Sequence, residues 1–352
     1  MTSRTYDKTD LAQFFPLSRA PEWRSHRACW LAWPSHEKEW LDHLQQARTE
    51  FVALCRAIAD PHPITGEPQG EQLEILVLDE AGKAEAKASL GELPVRFHIM
   101  PFGDIWLRDI APIFVTAADG SLGAATFNFN GWGGKYIFPG DETVAANIAQ
   151  FLGVPQFHFP LVLEGGAVET DGKLCLTTRQ CLLNPNRNPH LTREEIEDYL
   201  RSALGVGKIL WLNRGLLCDH TDGHIDTIAR FVAPGVVLCM EALDADDPNA
   251  EILEEIARDL ASFCDRGIPL EIHRIPSPGK ITSDRSEIMP ASYLNFYIGN
   301  RCAIVPTYGS PYDDLAVEAI SQFFPNRPTI GLPAKSILTG GGAFHCITQN
   351  QP

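Results

Sequence analysis

The chain has 352 residues, 44% hydrophobic and 21% charged, a balance that fits a globular enzyme. Its 29 lysines and arginines against 45 aspartates and glutamates leave a net charge of −16, which argues against a nucleic-acid partner, whose phosphates it would repel, and suits a cationic substrate. No run of eighteen apolar residues argues for a membrane span, and nine cysteines without a CxxC pair support neither a disulfide framework nor a zinc ribbon.

The N-terminal stretch MTSRTYDKTDLAQFF is polar and lacks the apolar core of a secretory signal, so a cytoplasmic protein is expected. An apolar strand, RACWLAWP, and an amphipathic helix near HLQQARTEFVALCRAIA follow. A unit then repeats: strand, polar loop, second strand, glycine turn, third strand, helix. One copy runs from VRFHIMP through the loop GDIWLRD, IAPIFV and LGAATFNF to a helix near DETVAANIAQFLG. The next takes QFHFPLV, LEGG, AVET and KLCLTT to a helix near TREEIEDYLRSALG. A third takes KILWLN, CDHTDGHID, TIARFV and VVLCM to AEILEEIARDLASFC, and a fourth takes LEIHRIP and SYLNFYIGNRCAIVP to DLAVEAISQFF. A fifth is split: TIGLPA and FHCITQ lie at the C-terminal end, and RACWLAWP with its helix at the other. Cys175, Cys239 and Cys302 read as reduced core residues on strands. The helices carry apolar residues three and four apart and acidic first turns. Repeats of this length predict a closed, propeller-like α/β array forming one domain over residues 1–352.

Equivalent loops of such a ring face one axis, and the suspicious polar residues fall in those loops. They are Trp106, Arg108 and Asp109, then Glu164, then His220, His224 and Asp226, and finally Cys346 after Gly340, Gly341 and Gly342. On an extended segment His224 and Asp226 face the same way, with Ile225 turned to the core. Arg108 alternates away from Asp109 and supports the loop. His220 and His224 stand four apart, but Gly223 breaks any helix that would align them, and HTDGH lacks the glutamate of HExxH; no metal is expected. The triple glycine lacks the lysine of a phosphate loop, and Cys346 taken alone reads as a core residue. Glu164 ends a strand before two glycines. Trp106 and Trp132 read either as core aromatics or as indole faces for a flat cation.

Taken together, WLAWPSHEKEW, DIWLRDIAP, FNGWGGKY, LEGG, CLLNPNRNP, DGHID, PTYGSPYDD and TGGGAFHCITQ resemble the agmatine deiminase family of the guanidino-modifying, pentein-fold superfamily. The resemblance runs from Trp30 to Gln349. It implies a five-bladed pseudo-symmetric α/β propeller and no metal or organic cofactor. It implies Cys346 as nucleophile, His224 as acid/base, Asp109 and Asp226 as guanidinium clamps, Glu164 as partner of the histidine or the substrate, and Trp106 in the substrate pocket. Two departures stand out. Ala111 and Pro112 follow Ile110 where the family often has Gly-Pro, and His220 stands where many members carry an acidic residue that would bear on the amine end of agmatine.

The chemistry follows from the residue types. A thiolate attacks the guanidinium carbon, a near-neutral imidazole protonates departing ammonia, and two carboxylates fix the planar cation. A covalent thiouronium is then hydrolysed to a ureido product. For agmatine, the expected small cationic guanidino substrate, that product is N-carbamoylputrescine. Alternatives are a deiminase of arginine or peptidyl-arginine, an amidinotransferase, or a non-catalytic pentein-type binding protein. A homo-oligomer is left open.

Overall fold

The computed structural model describes residues 15–352, so the stretch behind the signal-peptide reading lies, but for Phe15, outside the described residues. The fold is mixed α/β. Its strands fall into five separate small sheets. Ile113–Thr116 pairs antiparallel with Leu122–Asn128, a helix at Asp141–Leu152 follows, and Gln156–Val162 returns parallel to Leu122–Asn128. The same order recurs. Glu169–Thr170 and Leu174–Thr178 lead through the helix Arg193–Leu204 to Lys208–Leu212. Ala229–Ala233 and Val236–Glu241 lead through Ala250–Asp265 to Glu271–Pro276, and Tyr297–Ile298 and Ala303–Thr307 lead through Asp313–Ser321 to Thr329–Pro333.

The sequence repeat and the sheets are therefore offset by one strand. The opening strands of the second, third and fourth copies pair with the hairpin of the copy before, whereas Val95–Ile99, which opens the first, pairs with Gln72–Val77. A parallel neighbour needs a crossover, and the helix supplies one only to the strand that follows it.

The fifth sheet joins the two ends of the chain. Gln349–Gln351 runs antiparallel to Ala28–Ala32, with Trp30 opposite Gln349, and Gln72–Val77 and Val95–Ile99 follow in parallel. The sequence reading passed over Gln72–Val77 and the helix Glu80–Leu90. That helix buries only Ala86 and Leu90, too little to mark an apolar face by periodicity. Cys175 and Cys239 lie buried on strands as expected, whereas Cys302 is buried one residue ahead of its strand. No helix among the described residues is long and apolar enough to cross a membrane.

Five loops leave the last strand of each sheet and enter the first strand of the next. They span residues 100–112, 163–168, 213–228, 277–296 and 334–348. Each contributes to one buried cluster.

Candidate active site

Asp109 sits on a single helical turn, Leu107–Ile110, not on an extended segment. Successive residues of a helix diverge by about 100°, so the expected separation of Arg108 from Asp109 arises by a different geometry. Arg108 turns away into the fold and donates to Glu22, Gln349 and Asn350 at 2.8, 3.0 and 3.1 Å. Asp109 turns inward. Its Oδ1 accepts from the Gly166 N–H at 2.9 Å and its Oδ2 from the Trp132 indole at 2.8 Å. Trp132 holds this position in the left-handed region, at φ 51° and ψ 49°, a strained backbone for a large residue.

Glu164 caps the loop after Gln156–Val162 and is fully buried, with Arg187 donating to it at 2.7 Å. His224 and Asp226 are also fully buried, but the chain between them is a tight 3-10 turn, Ile225–Thr227, not a strand. His224 Nδ1 lies 3.7 Å from Asp109 and its Nε2 4.0 Å from Glu164, beyond hydrogen-bond reach. Both ring nitrogens lack a hydrogen-bond partner. Gly166 lies at the centre. A Cβ there would come within 2.6 Å of His224 Nδ1, 2.9 Å of Asp109 Oδ1 and 3.1 Å of Asp226 Oδ2. The gap between three titratable groups is kept open by the missing side chain.

Cys346 closes the cluster. Its Sγ lies 3.0 Å from Asn295 Nδ2 and 3.5 Å from Asp226 Oδ2. Asn295 Oδ1 accepts from the backbone N–H groups of Ala343, His345 and Cys346 at 3.1 to 3.2 Å, and so fixes the turn that presents the thiol. A Cβ at Gly342 would meet Cys346 Sγ at 3.0 Å, which explains one glycine of the triplet.

Above this floor lies a cavity of about 150 Å³. Cys346 and Asp109 reach it, Trp106 and Trp132 wall it, and His220 stands with Tyr136 at its rim, their rings 5.7 Å apart. Trp40 stacks on Trp106 at 6.1 Å, and the Trp106 indole donates to Asp104 at 2.7 Å. No lysine or arginine lines the cavity among the described residues. Glu164, His224 and Asp226 lie behind its wall.

Burial shapes the charges. It pushes the Asp109 carboxyl well above the usual carboxylate range, the Asp226 charge adds to that push, and the Trp132 N–H opposes it. It pulls His224 down to about 3, against the pull of Asp226. The Cys346 thiol is driven well up by burial, then by Asp226 and Asp109. Burial outweighs the Arg187 charge at Glu164 and raises its carboxyl. Asp226 goes the other way: burial would raise it, but the hydrogen bond and charge of His345 hold it low.

Among the described residues, two clusters have donors close enough to share a cation: Glu164 with Cys181 and His224, and Glu22 with Glu169 and His345. Each already receives guanidinium charge, from Arg187 in the first and from Arg108 and Arg230, both 2.8 Å from Glu22, in the second. His220 belongs to neither.

The site residues read from the sequence do converge. Asn295, His345, Glu22, Arg187 and Trp40 went unread. Asn295 had a signal: four loops offered a polar residue to the axis, and the fourth copy had to supply its own.

The model of the Porphyromonas-type peptidyl-arginine deiminase family matches residues 18–352. The chain belongs to that family. An agmatine deiminase of Stutzerimonas stutzeri is 36% identical over 361 residues, 94% of each chain. The solved agmatine deiminase of Enterococcus faecalis is 29% identical with a TM-score of 0.88, covering 100% of this chain and 99% of its own. A Cys-to-Ser agmatine deiminase of C. jejuni, solved with substrate bound, is 26% identical with a TM-score of 0.85, covering 95% and 96%. The resemblance carried by the motifs thus extends to whole chains and to the fold.

Proposed function

We propose that the protein is an agmatine deiminase, hydrolysing agmatine to N-carbamoylputrescine and ammonia. The observation that carries this reading is the lining of the cavity. A thiol and a carboxylate stand on its floor and indoles on its walls, with no cationic side chain to receive the α-carboxylate of free arginine. A guanidinium presented to Cys346 meets acceptors and aromatic faces, and the rest of a decarboxylated substrate meets aromatic and hydroxyl groups, Asp104 and the exposed His220 at the rim.

Cys346 is the nucleophile. In the empty site thiol, imidazole and Asp109 are all driven toward neutral forms by burial. The guanidinium brings the missing positive charge: it favours the Asp109 carboxylate and the Cys346 thiolate together. The thiolate forms a C–S bond to the guanidinium carbon. His224 carries the thiol proton to a departing nitrogen, and the C–N bond breaks to release ammonia. Asp109 and Asp226 hold the planar cation in line with sulfur. Glu164, 4.0 Å from His224 Nε2, favours the imidazolium that forms when His224 takes the thiol proton. Water then adds to the thiouronium carbon, His224 takes its proton, and the C–S bond breaks to give the ureido product. Trp106, Trp132 and His220 bind substrate. No cofactor enters any step.

We read the five sheets as the blades of one five-bladed α/β propeller over the described residues 15–352, since their first and last strands share a sheet and all five loops meet at one cluster. Ammonia release measured side by side on agmatine, arginine and an arginyl peptide tests the substrate. Agmatine should dominate; faster turnover of either competitor would overturn the assignment.

A further inference from the structure

His345 precedes the thiol in sequence and lies fully buried beneath it. Its Nδ1 stands 2.7 Å from Asp226 Oδ2, and its Nε2 lies 3.0 Å from Glu22 Oε2 and 3.1 Å from Oε1. A carboxylate is an acceptor only, and a neutral imidazole has a single N–H. Two carboxylates on opposite edges of one ring therefore require either a doubly protonated imidazole or a proton on one acid.

Glu22 is a poor place for that proton. Besides His345 it receives Arg108 at 2.8 Å, Arg230 at 2.8 Å and Arg19 at 3.1 Å. Asp226 is no better, since its Oδ2 also takes the Asn295 amide at 3.2 Å. Against burial, Glu22 is held low by Arg108, His345 and Arg230, and Asp226 by the hydrogen bond and charge of His345. The groups facing the ring are thus Asp226, Glu22 and, as a third acid close to Nε2, Glu169. Arg108 bonds the His345 carbonyl at 3.3 Å, and Arg230 reaches Glu169 at 3.4 Å.

We infer that His345 is a positioning residue: an imidazolium bonded to a carboxylate on each edge of its ring, locked by Glu22, that keeps Asp226 ionised beside Cys346 before substrate arrives. This rests on the proposed guanidinium chemistry and divides the labour of its two clamps. Asp226 is charged in the resting enzyme, whereas Asp109 acquires its charge with the substrate. Without the imidazolium Asp226 would sit buried beside a thiol and a second acid with no hydrogen-bonded cation, only the weaker pull of the Arg230 charge, and it would take up a proton that substrate must displace.

The test is the pH profile of kcat/KM for agmatine in wild type, His345→Gln and Glu22→Gln. In His345→Gln a second ionisation should join the acid limb, so that below it the rate falls about a hundredfold per pH unit instead of about tenfold. In Glu22→Gln the acid limb should move in the same direction by less. A purely structural role lowers the rate equally at every pH; unchanged limb shapes in both variants would overturn the inference. Should neither variant give soluble protein, ¹⁵N-histidine spectra of the wild type decide. One imidazole should carry protons on both ring nitrogens in the resting wild type, and a protein with none contradicts the inference. A wild type inactive on every guanidine tested would instead sink the proposed function and leave the spectra to judge His345.

Discussion

The two sides of the site solve the same problem in opposite ways. On one side Asp109 is held only by neutral donors, the Gly166 amide and the Trp132 indole, and burial drives it toward its acid form. On the other Asp226 is backed by His345, which is backed by Glu22 and three arginines, and it stays low. The first side reaches the cavity and the second lies behind it. A carboxylate waiting for a cation and a carboxylate already paired with one lie within the same small volume. The difference teaches where the binding energy goes: the guanidinium completes the Asp109 side and finds the Asp226 side already built.

Substitution of the two acids separates them most sharply. Asp226→Asn turns an amide toward the His345 ring and leaves that buried cation paired with Glu22 alone, so it should cost about 3–5 kcal/mol of stability as well as nearly all activity. Asp109→Asn leaves only a neutral donor without its acceptor and should cost about 1–3 kcal/mol, while kcat/KM for agmatine still falls sharply. Denaturant unfolding with steady-state kinetics on each variant checks this, and equal stability losses would erase the distinction. Trp132→Phe keeps the ring and removes the donor to Asp109. Its effect should be smaller, about 5–20-fold in kcat/KM, read as a higher KM with the acid limb moved to higher pH. An unmoved limb would mean that the indole does not tune Asp109.

Asp141 gives the smallest effect, and it lies in stability. Its Oδ1 accepts from Gly103 and Asp104 at 2.7 and 3.2 Å, anchoring the loop that carries Trp106 and Asp109, and burial lifts its carboxyl to about 7. The unfolded chain releases that proton near about pH 4. Between about pH 4 and about 7 the native state holds a proton that the unfolded state has lost, so this group makes stability fall as pH rises. Asp141→Asn keeps the Oδ1 acceptor and removes the titration. Its thermal stability relative to wild type should therefore grow by about 1–3 kcal/mol across that window. A difference that does not change with pH would contradict the account.

The sequence was a good guide to whatever depends on local periodicity. The strands and helices of four copies and the split fifth follow from apolar spacing, and Asp109, Glu164, His224, Asp226 and Cys346 stand out because they interrupt that spacing at equivalent loops. What stayed hidden depends on partners far along the chain. Glu22 meets His345 across 323 positions, and Arg108 meets Gln349 across 241. Nothing local marks Glu22, in a segment without regular structure, as the anchor of a buried charge network. His345 was hidden differently, as one more residue beside a conspicuous cysteine. The 3-10 turn at Ile225–Thr227 shows that His224 and Asp226 can reach one cluster without the extended segment read for them.

The account stands on Cys346 as the nucleophile, and the most direct test is the covalent intermediate. Protein mixed with agmatine, quenched in acid and digested should show by mass spectrometry an amidino adduct on the Cys346 peptide. Cys346→Ala should show no adduct and should lose at least about 10⁴-fold in ammonia release. Full activity in Cys346→Ala, or an adduct on any other residue, would contradict it.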